Sequence, residues 1–133
     1  MLGFVSLLIA ACGGGASRGG SPAPAEGANS SGGSTPANYT VHMTDTNFAQ
    51  SSITISKGSS ITLTNDSGAL HIISNGRWVN GNAQAAQEGG APTVSNLQIA
   101  GNASQTIGPF NMAGTYHLYC PIHPGMNLTV IVQ

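Results

Sequence analysis

The chain has 133 residues, of which only 5% are charged, and its formal net charge is -1. That length fits one modest domain. Three basic residues (Arg18, Lys57 and Arg77) cannot grip a phosphate backbone, so nucleic acid is not expected as a partner. The acids Glu26, Asp45, Asp66 and Glu88 form no run, so recognition has to rest on shape and apolar contact more than on steering by charge.

The first element is an apolar run, "MLGFVSLLIAAC", ending in small residues and a cysteine. It is too short to cross a bilayer as a helix and has the length of an export-signal core. Ile9-Ala10-Ala11-Cys12 resembles a bacterial lipobox, in which the cysteine is lipidated and becomes the mature N-terminus. No Lys or Arg precedes the run, which suggests that the true start lies upstream. Residues 1–12 are therefore read as a signal peptide ending at a lipidated Cys12. Residues 13–38, rich in Gly, Ser, Pro and Ala, are read as a flexible tether that cannot bury enough surface to offset its ordering entropy. The expected location is extracytoplasmic, with residues 39–133 held to the outer face of a bacterial membrane through the lipid on Cys12. Of the two cysteines this leaves Cys120 without a mate in an oxidising compartment, where an unpaired thiol needs a role.

From Tyr39 onward apolar residues alternate with polar ones. "YTVHMTD" sets Tyr39, Val41 and Met43 on one face, and "SITIS" and "SSITLTN" place Ile53, Ile55, Ile61 and Leu63 inward around a turn at Lys57-Gly58. "ALHIIS", "VSNLQIAG", "SQTIG", "GTYHLYC" and "NLTVIVQ" continue the pattern. About eight short strands predict an all-β fold, a two-sheet Greek-key β-sandwich. Residues 75–93, with Arg77 and Trp78 read as exposed, look like a long connection. Within them "NGNAQAAQEGG" is the one stretch with any helical character, and its glycines favour a loop. Met43 and Met112 are expected to pack.

In "GTYHLYC" the alternation puts Tyr116, Leu118 and Cys120 on the core face, and His117 and Tyr119 on the other. "PIHPG" then makes a tight connection to the last strand. Pro121 and Pro124 fix φ, Gly125 permits a sharp bend, and Cys120, His123 and Met126 can converge on one point. His71, placed after the turn Asn65-Asp66-Ser67-Gly68, is the candidate fourth member, whereas His42 and His117 are read as facing outward. Two imidazoles, a thiolate and a weak axial thioether make a blue-copper electron-transfer set. Zinc would not favour the thioether. A thiol enzyme would need a group to orient the histidine or a second cysteine. Extracytoplasmic copper binding and delivery is the alternative function.

These residues resemble those of the cupredoxins, specifically the plastocyanin/amicyanin branch. The resemblance rests on "C-x2-H-x2-M" at Cys120, His123 and Met126, on "N-x5-H" from Asn65 to His71, and on the lead-in "GTYHLYC"; the short His-to-Met spacing is that of amicyanin. It covers residues 39–133. It implies one type 1 copper held by His71, Cys120, His123 and Met126, and a monomeric single-electron carrier that is not an enzyme. The exposed edge of His123 is then the port to transient redox protein partners, set among Leu70, Pro121, Ile122, Pro124 and Gly125. One departure is Ile72, where many members carry Asn, Ser or Thr; its backbone N–H is left to donate to the thiolate.

Overall fold

The computed structural model describes residues 37–133. The lipobox at Cys12 and residues 13–36 of the expected 13–38 tether lie outside the described residues.

Nine strands follow one another: β1 (Asn38–Met43), β2 (Ser52–Ile55), β3 (Ser59–Asn65), β4 (His71–Val79), β5 (Asn82–Ala85), β6 (Leu97–Ile99), β7 (Ser104–Phe110), β8 (Gly114–Tyr119) and β9 (Asn127–Val132). One sheet has the order β1-β3-β7, the other β2-β9-β8-β4-β5 with β6 also paired to β4. No helix occurs among the described residues. The expected β-sandwich is therefore present, with β1 parallel to β3 and β2 parallel to β9.

Alternation does the packing. Along β3, Ser59, Ile61, Leu63 and Asn65 are buried while the residues between them are only partly covered; along β9 the same holds for Leu128, Val130 and Val132. With Val41, Met43, Ile55, Ile73, Ile99, Phe110 and Leu118 they fill the space between the sheets. Each fully buried aliphatic side chain contributes about 1.5–3 kcal/mol relative to an exposed one. Strand β1 runs from Asn38, paired with Ser60, to Met43, paired with Asn65. It thus starts at one end of the sandwich and finishes at the other, where Thr44, His71 and the loop 120–126 gather.

Three expectations need correction. Residues 75–85 are not a loop: β4 runs to Val79 and turns at Asn80-Gly81 (φ 50° and 79°) into β5, with Val79 opposite Asn82. Trp78 is half-buried, not exposed. Met112 does not pack inward, since it is 55% exposed; Met43 is fully buried, as expected.

A bend in β4 explains Trp78. In a straight strand Ile72 and Trp78 would lie about 20 Å apart. Yet Ile72 N is 3.5 Å from Cys120 Sγ and Trp78 Nε1 is 2.9 Å from the Cys120 carbonyl oxygen. The chain folds back at Gly76, whose φ is +133°. A Cβ there would stand 2.2 Å from the Gln84 carbonyl oxygen and 2.8 Å from Tyr119 Cε1. The same fold-back covers Tyr119, which is buried although the strand period turns it away from the core.

Candidate metal centre

The site is assembled by two segments, the turn that ends in His71 and the loop 120–126. Asn65, fully buried at the end of β3, organises the first. Its Nδ2 donates to the carbonyls of Ala69 (2.7 Å), Ala100 (3.0 Å) and Ile99 (3.3 Å). Its Oδ1 accepts from Ser67 N (3.0 Å) and Ser67 Oγ (2.8 Å). The Asn65-to-His71 spacing noted in the sequence is thus a side-chain frame that fixes the turn and delivers His71 as the first residue of β4.

His71 is fully buried, and its Nε2 lies 2.8 Å from the Thr44 carbonyl oxygen. A carbonyl only accepts, so Nε2 carries the proton and Nδ1 keeps a lone pair. That Nδ1 is the one buried side-chain nitrogen or oxygen among the described residues with no hydrogen-bond partner. Burial lowers the basicity of the ring, and the neighbouring His123 lowers it further; the Thr44 carbonyl and Asp45 oppose this without reversing it. A neutral imidazole with an idle, buried lone pair costs free energy unless something takes that lone pair.

What faces it is a thiol and a second imidazole. The ligand atoms of His71, Cys120 and His123 all lie within 4.8 Å of one another. Cys120 Sγ is 3.3 Å from His123 Nδ1, and the two histidine rings are 4.7 Å apart at 60°. Three backbone bonds close the loop that carries them: Cys120 N to Met126 O (3.1 Å), His123 N to Cys120 O (3.2 Å) and Met126 N to His123 O (3.1 Å). Gly125, at φ +82°, makes the reversal that a side chain would strain. Cys120 and Met126 are fully buried at the two ends of this loop, and His123 is only half-buried. The Ile72 backbone N–H does point at the sulfur, as expected.

The other histidines have acidic neighbours and stand apart from the cluster. His42 Nδ1 is 2.7 Å from Asp66 Oδ2 on the surface, and His117 Nδ1 is bound to the Glu88 carboxylate. Burial alone would push the Glu88 carboxyl up, but hydrogen bonds from His117 and the backbone outweigh it, so it lies below its usual range. Sequence reasoning missed three supporting residues: Thr44, Trp78 and Asn127. Only Trp78 had a usable signal, the Asn80-Gly81 hairpin turn that fixes the strand carrying it.

The donor set suits copper: imidazole and thiolate nitrogen and sulfur, with a buried thioether at the loop's end. The profile of the family described as copper binding proteins, plastocyanin/azurin family, matches residues 36–133. No curated protein matches the chain at a significant level. Among solved structures, the chain is similar to amicyanin from Paracoccus versutus (Thiobacillus versutus), with 21% identity over 74% of this chain and 85% of that one, and a TM-score of 0.55. It is also similar to the Cu(I) form of an amicyanin variant, with 20% identity over 75% and 86% of the two chains and a TM-score of 0.55. These likenesses are ones of fold. The family match covers the whole described domain, and the chain belongs to the plastocyanin/azurin family of copper binding proteins.

Proposed function

We propose that the protein is a single-electron carrier, not an enzyme, and that His71, Cys120, His123 and Met126 hold one type 1 copper ion. The observation that carries this reading is the buried, unpartnered Nδ1 of His71, set beside a free thiol and a second imidazole. Copper bound by these four residues would supply a Cu(I)/Cu(II) couple for one-electron transfer. The protein's part is to hold the ligands and exclude water, and the burial of His71, Cys120 and Met126 serves both.

His123 alone of the four reaches the surface. Leu70 and Ile122 each directly precede a ligand histidine and are 44% and 48% exposed. A small apolar patch around a ligand edge suits a transient redox partner, which must dock and leave quickly. Copper delivery, the alternative, is less well supported, because three of the four ligands are sealed from any acceptor. We further propose that Cys12 is lipidated and tethers the domain to the outer face of a bacterial membrane; the support is the sequence "IAAC" and the tether-like composition after it. Replacing Cys12 with Ser should then move the chain from the membrane fraction to the soluble one.

Adding Cu(II) to the purified full chain tests the main reading. An intense blue or green colour from thiolate-to-copper charge transfer is expected, and Cys120→Ser should abolish it. A colourless protein preferring Cu(I) points to delivery, and colour that survives Cys120→Ser overturns the ligand set.

A further inference from the structure

Trp78 has links to the copper loop that the ligand set does not require. Its indole Nε1–H donates to the Cys120 carbonyl at 2.9 Å. Its backbone is gripped on both sides by one side chain: Trp78 N donates to Asn127 Oδ1 (2.7 Å), and Asn127 Nδ2 donates to Trp78 O (3.1 Å). Asn127 is the first residue of β9 and pairs with Tyr119, the last of β8. The loop therefore leaves the sheet at Tyr119 and rejoins it at Asn127, and Trp78 is bound at both lips of that opening. The Trp78 ring also meets the Tyr119 ring edge-on, at 6.5 Å and 79°.

The Cys120 carbonyl matters for the site because it has a second donor, the His123 N–H at 3.2 Å. With both lone pairs taken, the peptide between Cys120 and Pro121 cannot rotate without breaking two hydrogen bonds. Such a rotation would swing the thiol and His123 relative to each other. We propose that Trp78, clamped by Asn127, is a positioning residue for the metal centre: its indole N–H locks the Cys120 carbonyl and so presets the thiol and His123 in the metal-free protein. The proposal rests on the copper reading of the site.

Trp78→Phe in the full chain isolates the donor, because it keeps a ring against Tyr119 and removes the N–H. In the metal-free variant the His123 and Met126 amides are expected to exchange with solvent about fivefold faster, the effect of one lost hydrogen bond. With Cu(II), the charge-transfer band should shift or weaken relative to wild type. Exchange and band both equal to wild type overturn the clamp, even if the melting temperature falls. Should the variant not fold, the wild type itself decides. Trp78 is the chain's one tryptophan, so its indole N–H gives a single resonance. That resonance should be protected in the metal-free protein and move when Cu(I) is added; free exchange, or no response to loading, overturns the proposal. A wild type that takes up no copper sinks the copper reading instead, and the metal-free exchange comparison then decides the clamp alone.

Discussion

His71 and the loop 120–126 reach the same point by different means. His71 is placed from outside: a buried asparagine six residues earlier frames its turn, and a carbonyl from another segment holds its ring. The loop is placed largely by its own chain, through two prolines, a left-handed glycine and three internal backbone bonds. Outside help comes from the Ile72 N–H at the sulfur and, at the loop's base, from Trp78 and Asn127. A remotely placed ligand should be sensitive to many side chains along the sequence, whereas a largely self-placed loop should respond to remote ones only at its few outside contacts. Ligand removal on the loop should cost metal more than fold.

The sharpest break in the loop's outside support is Gly76→Ala. A Cβ 2.2 Å from a backbone carbonyl, at a φ of +133°, forces the β4–β5 hairpin to shift. We expect a loss of about 3 kcal/mol or more in urea denaturation. A loss under about 1 kcal/mol would mean that the bend is not needed. Next, Asn65→Ala should destabilise the metal-free protein by about 2–4 kcal/mol, since it leaves buried carbonyls without donors. His123→Ala should leave stability within about 1 kcal/mol while abolishing the blue colour. Equal losses of stability in these two variants would erase the contrast between strand-borne and loop-borne ligands.

A smaller effect should appear on acidification of the metal-free protein. His71 has a folded pKa below its ordinary value of 6.5, because burial disfavours the charged ring. Between those two values the unfolded chain binds a proton that the folded chain does not. Stability is therefore full above 6.5 and falls as pH drops through that window. Melting curves across it should show this slope in wild type and lose it in His71→Ala. The smallest effect is expected from Glu88→Gln, which touches neither segment. Glu88 is depressed below its ordinary value of 4.5, so its contribution is present above that pH and lost as pH falls through the folded value. The variant should lose no more than about 1 kcal/mol near neutrality and keep its copper spectrum. A changed spectrum would tie the Glu88–His117 pair to the metal site.

The sandwich and the site were legible for the same reason: they are written locally. Alternation in "SSITLTN" and "NLTVIVQ" marks strands, and Cys120, His123 and Met126 share seven positions. His71 could be singled out because His42 and His117 each fall on outward-facing positions, where the structure finds them bound to acids. Trp78 was misread because a half-buried tryptophan depends on a bend. A positive φ at Gly76 leaves no mark beyond the glycine itself. Tyr119 has the strand period of an outward residue, and only the hairpin folded over it makes it buried. Thr44 acts through its carbonyl, which any residue has, so nothing in its side chain could have announced it.

Strand β1 has a direction as well as a place. It enters at Asn38, beside Ser60, and reaches the ligand end only at Met43 and Thr44, some 20 Å further on. Anything joined ahead of residue 38 is attached at the pole remote from His123. The chain's polarity thus puts the first residue of β1 and the half-buried His123 at opposite poles of the sandwich.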